Sequence, residues 1–133
     1  MTGRRTRAVL LPLGLAVVLG GCAAEDPATA PGLPAADQRV GLTEWEVVTE
    51  GRPLAPGDVR LVVTNAGAAP HDLAVRVDGE ERAVTPVLAP GEAHELSFAV
   101  AADERVELWC TLTGHHAAGM HTALDVDAGE VGR

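Results

Sequence analysis

The stretch Trp109-Cys110-Thr111-Leu112-Thr113-Gly114-His115-His116-Ala117-Ala118-Gly119-Met120 places a thiol, two imidazoles and a thioether in one short segment. Its spacing is C-x4-H-x4-M counted through His115 and C-x5-H-x3-M counted through His116. The flanking runs, Arg105–Cys110 and Met120–Val126, alternate apolar and polar residues as half-buried strands do. The segment therefore reads as a loop between two strands, and such a loop gathers its side chains at little ordering cost. Further upstream, Asn65-Ala66-Gly67-Ala68-Ala69-Pro70-His71-Asp72 sets another histidine at the entrance to a strand.

Strands account for most of the chain beyond Val40. The expected runs are Val40–Val48, Val59–Asn65, Asp72–Val77, Ala93–Val100, Arg105–Cys110 and Met120–Val126. Val and Leu dominate them, with Thr and Trp, which suit a pleated surface. Breaks fall at Pro53, Pro56-Gly57, Gly67 to Pro70, Asp78-Gly79, Pro86 and Pro90-Gly91. No stretch keeps a 3.6-residue period long enough to predict a helix. Short strands at this spacing predict a single all-β domain, an antiparallel sandwich. The Cys-Trp-Cys pattern of an immunoglobulin domain is absent, because Cys22 precedes the fold.

One thiolate, two imidazoles and a thioether form the donor set of a mononuclear type 1 copper site. Thiolate and thioether favour Cu(I), whereas imidazole also accepts Cu(II). Each residue has a plainer reading when taken alone. Cys110 serves equally as a buried structural thiol, Met120 as core filling and His71 as a turn residue. The combination in one strand frame favours the metal. His116 remains the alternative to His115, and His121 and His94 read as strand-surface histidines.

These residues resemble the cupredoxin family, and the loop is similar to the rusticyanin and sulfocyanin branch, in which Gly-His precedes a small-residue run ending in Gly-Met. The resemblance spans about residues 40–127 and includes Leu42-Thr43-Glu44-Trp45 and Pro90-Gly91-Glu92 before Phe98. It implies an eight-stranded Greek-key β-sandwich with copper near one end. It further implies His71, Cys110 and His115 as equatorial ligands and Met120 as the axial one. Many cupredoxins carry Asn or Ser after the first ligand histidine, where this chain has Asp72. By resemblance, that residue ties the ligand strand to the one after the cysteine, here Thr111. An Asp72–Thr111 hydrogen bond would bring negative charge near the thiolate, favour Cu(II) and lower the reduction potential. Trp109 stands where some relatives have Tyr; it reads as outer-face packing or as a second electron entry point.

Residues 1–22 carry a different message. Arg4, Arg5 and Arg7 precede an apolar run from Val9 to Leu19, and Leu19-Gly20-Gly21-Cys22 follows. The run is too short for a membrane-spanning helix and fits a signal-peptide core. Its ending resembles the bacterial lipoprotein signal, in which the cysteine is acylated after cleavage. The expected organisation is a signal peptide over 1–21, a lipidated Cys22 with a Pro/Ala-rich tether over 22–37, and a copper-binding domain over 38–133. Extended at about 3 Å per residue, the tether would reach roughly 45 Å. Export through the general or the twin-arginine route is left open by the Arg4-Arg5 pair.

The chain has 133 residues, 47% apolar, with a formal charge of -9, two Cys and no Lys. Cleavage would remove three of the ten Arg and none of the 19 acids, leaving -12. Two cysteines exclude a disulfide-stapled scaffold. The acidic balance and 2% aromatic content argue against nucleic-acid binding. The expected function is a monomeric, lipid-tethered one-electron carrier on the outer side of the cell membrane. Its redox donor and acceptor would present basic docking patches. A copper-delivery protein without redox turnover is the rival, and an adhesive sandwich is a further one. An enzyme is not expected: multicopper oxidases place His on both sides of the Cys, whereas Cys110 lies between Trp109 and Thr111.

Overall fold

The computed structural model describes residues 35–128. The signal segment 1–21, Cys22 and nearly all of the 22–37 tether lie outside the described residues.

Eight strands form two four-stranded sheets. They are β1 (Gln38–Thr43), β2 (Glu46–Thr49), β3 (Gly57–Asn65), β4 (Ala74–Val77), β5 (Glu80–Val84), β6 (Ala93–Val100), β7 (Val106–Trp109) and β8 (His121–Leu124). The first sheet has the order β2-β1-β3-β6 and the second β5-β4-β7-β8. All pairs are antiparallel except β1 with β3. The sheets face each other through alternating side chains, as strand geometry requires. In β6, Leu96, Phe98 and Val100 are buried while Glu95, Ser97 and Ala99 are exposed. In β7, Val106 and Leu108 point inward, and the same alternation carries Cys110 into the interior. A fully buried Leu or Val contributes about 1.5–3 kcal/mol. The core between the sheets runs through Leu42, Leu61, Val63, Leu73, Val75 and Leu108 up to Cys110 and Met120.

Two strands differ from the sequence expectation. The run Val40–Val48 is a hairpin rather than one strand, because the chain turns at Glu44-Trp45 with Thr43 facing Glu46 and Leu42 facing Val47. Val40 and Leu42 are buried in β1 but Val47 in β2, so the buried positions change parity across the turn. Strand β5 was not anticipated. It follows Asp78-Gly79, both at positive φ (47° and 83°), the geometry of a tight hairpin turn. Its Glu80, Glu81 and Arg82 are exposed, and such charges protect a sheet edge from adding further strands.

Between β7 and β8 the chain makes one helical turn, α1 (His115–Ala118). It is flanked by Gly114 at φ 83° and Gly119 at φ 120°, conformations that glycine reaches without a Cβ clash.

Candidate metal centre

Four elements deliver the donors to one end of the sandwich. His71 lies just before β4 and is pinned by a two-way backbone bridge with Leu88, at 3.2 and 2.7 Å. The approach to it is shaped by Asn65, which is fully buried. Its side-chain amide donates to the carbonyls of Ala69 and Leu88, and its oxygen accepts from the Gly67 amide. Cys110 directly follows β7, and its amide donates to the carbonyl of Met120 (3.0 Å). The Met120 amide in turn donates to the His115 carbonyl (3.1 Å). The loop is thereby closed on itself by main-chain bonds.

His71, Cys110 and His115 converge with one donor atom each, all within 4.8 Å of one another. Nδ1 of His71 is 3.3 Å from Nδ1 of His115, which is 3.4 Å from the Cys110 sulfur. A metal bonded at about 2.0–2.3 Å to nitrogen and sulfur spans such separations. His71, Cys110 and Met120 are fully buried, while His115 is partly exposed. Soft and borderline donors in a largely buried, preformed cluster fit one type 1 copper. His116 is turned elsewhere: its ring stacks on His121 with centroids 4.5 Å apart and meets Trp109 edge-on at 5.8 Å. Trp109 lies on the outer face with Arg76 over its ring at 5.1 Å. His94, on β6, is half-buried.

Asp72 braces the thiol side. It accepts from the Thr111 amide (2.6 Å), from the Thr111 hydroxyl and from the Cys110 sulfur (3.3 Å). Burial pushes the Cys110 thiol above its ordinary range and the Asp72 carboxylate adds to this, while donors from the Asp72 and Leu112 backbone oppose it. Cys110 would have to give up its thiol proton to serve as a metal ligand.

The β1–β2 turn completes the site, and its part was not read from the sequence. Oε1 of Glu44 lies 2.8 Å from Nε2 of His71 and accepts from the amides of Ala68 and Ala69, both at 2.9 Å. These bonds, the Ala69 amide first and then His71, hold the Glu44 carboxyl down at about 2. Trp45 meets the His115 ring edge-on at 4.8 Å and is 48% exposed, so it forms part of the outer cover of the site. The small residues of Gly67-Ala68-Ala69 were the available signal for a cradle of this kind.

A two-sheet sandwich with such a donor cluster at one end is the cupredoxin architecture. Auracyanin B superposes with a TM-score of 0.58 at 21% identity, over 73% of this chain and 92% of its own. Auracyanin A of Chloroflexus aurantiacus, described as a "blue" copper protein, gives 0.57 at 18% identity, covering 67% and 96%. Reduced auracyanin of Roseiflexus castenholzii gives 0.55 at 17%, covering 66% and 94%. No protein-family model and no curated protein sequence matches the chain.

Proposed function

We propose that this protein is a single-copper electron carrier. The observation that carries this reading is the convergence of His71, Cys110 and His115 beside the buried Met120. Copper, when bound, supplies the Cu(I)/Cu(II) couple. The chain's contribution is to hold the donors still. The backbone bridge at His71 and the Cys110–Met120 bond keep the ligand-bearing segments in one arrangement, which limits reorganisation between oxidation states. Of the four donors His115 alone is partly exposed, with the exposed Trp45 ring against it, so a redox partner would reach the centre past this pair.

The lipobox at Leu19–Cys22 supports tethering to the outer side of the cell membrane. The formal charge of -12 left after cleavage favours donor and acceptor proteins with basic docking surfaces. Among the described residues no helix is long and apolar enough to cross a membrane.

Burial of His71, Cys110 and Met120 argues against copper delivery, because release would require the core end to open. Repeated voltammetric cycling of the copper-loaded protein beside a competing Cu(I) chelator separates the two. A carrier gives a reversible one-electron wave and retains its copper. A delivery protein loses copper to the chelator on reduction.

A further inference from the structure

We propose that Glu44 is the positioning residue of this centre. Its carboxylate selects the His71 tautomer that leaves Nδ1 free for the metal, and it biases bound copper toward Cu(II). The second half rests on the copper reading above; the first does not.

His71 is fully buried, so each of its ring nitrogens must find its partner inside the protein. Nδ1 faces His115, whereas Nε2 faces Glu44 at 2.8 Å. A carboxylate only accepts, so Nε2 carries a hydrogen and Nδ1 is the ring nitrogen left to present a lone pair to the cluster. The ring is thus oriented before any metal arrives.

The carboxylate is itself held by the protein. One oxygen takes the Ala68 and Ala69 amides, and these residues lead through Pro70 directly into His71. Gly67 completes the cradle: a Cβ there would overlap Oε1 and lie 2.9 Å from Cδ of Glu44. The same short loop therefore delivers the ligand and fixes the acceptor that orients it. A full negative charge bonded to the far nitrogen makes the imidazole a stronger donor, and this stabilises Cu(II) over Cu(I). Trp45 meets both imidazoles edge-on, at 4.8 Å for His115 and 6.4 Å for His71, whereas the Glu44 carboxylate bonds His71. Glu44 acts through His71 and Asp72 through Cys110, so negative charge supports the centre from two sides.

The test uses Glu44→Gln, Glu44→Ala and Gly67→Ala in the full chain, with two readouts. Nitrogen-15 NMR of the metal-free protein reports the His71 tautomer. Wild type and Glu44→Gln should show the hydrogen on Nε2, and Glu44→Ala should lose that single form. Voltammetry of the copper-loaded proteins should show the Cu(I):Cu(II) affinity ratio rising about tenfold in Glu44→Gln and Glu44→Ala, or 59 mV upward. Gly67→Ala should raise the potential alone, yet add nothing in the Glu44→Ala background. An unchanged tautomer in Glu44→Ala overturns the positioning role. Unchanged potentials in both Glu44 variants, with copper bound, overturn the bias. A chain that takes up no copper yet shows the tautomer change refutes the copper reading and the bias, and leaves the positioning role supported.

Discussion

The amide of Cys110 donates to the carbonyl of Met120 across 3.0 Å, joining the first and last donors of the loop through their backbones. The side chains of both residues are completely buried. Everything between them is thereby constrained to a short excursion, and one helical turn fills it. That constraint decides which histidine can reach the centre. His115, at the start of the turn, points into the cluster, and His116 is carried round to stack on His121.

The register of the loop is therefore testable by paired substitution. His115→Ala should abolish the copper charge-transfer band or shift it grossly. His116→Ala should leave the band in place, with Cu(II) affinity changed less than about threefold, well below the 10–100-fold typical when a ligand's supporting partner is lost. Titration with Cu(II) followed by absorption checks both.

Gly119 closes the loop in a conformation that L residues rarely adopt, at φ 120°, and a Cβ there would meet the Trp45 carbonyl at 3.2 Å. Gly119→Ala should destabilise the protein by about 1–3 kcal/mol. Chemical denaturation of the metal-free protein measures this loss. Ala in place of Gly51, where φ is 69° but no atom lies within 4 Å of the added Cβ, should cost less.

Asp72 gathers Thr111 and the Cys110 sulfur onto one carboxylate. Replacing it by Asn retains an acceptor oxygen and removes the charge. The reduction potential of Asp72→Asn should rise by about 59 mV, the equivalent of a tenfold shift for one electron. Absence of any upward shift contradicts the electrostatic role assigned to this residue.

Much of this was legible before the structure, and the reasons are physical. Cys110, His115 and Met120 are close in sequence, so their spacing alone brings them near one another once the flanking strands pair. His71 was legible because it opens an alternating strand after a Gly/Ala/Pro break. The hairpin at Glu44-Trp45 was obscured because Val and Leu continue on both sides of the turn, and only the change in parity between Leu42 and Val47 marks it. Strand β5 has charges where a strand pattern would show apolar alternation, since nothing packs on most of it. Glu44 meets His71 across 27 residues of sequence, with no local motif to announce the pairing.

The base of the first hairpin carries a pH dependence. The Glu50 carboxyl is held below its ordinary value by the Arg52 guanidinium first and then by the Arg39 amide. Its folded value is depressed, so its contribution is complete above the unfolded carboxylate range and fades as acid takes pH down through the folded value. Because the pair is exposed, the effect should be small and weakened by salt. Thermal melts of wild type and Glu50→Gln from about pH 6 down to about pH 3 should show the variant less stable at the upper end and the two converging in acid.

The Cys110 thiolate should bind copper in a type 1 site. The most direct measurement is the visible absorption spectrum of the purified protein after Cu(II) addition, beside that of Cys110→Ser. The wild type should turn intensely blue or green through thiolate-to-copper charge transfer, and Cys110→Ser should stay colourless. A colourless wild type, or a colour that survives Cys110→Ser, would contradict it.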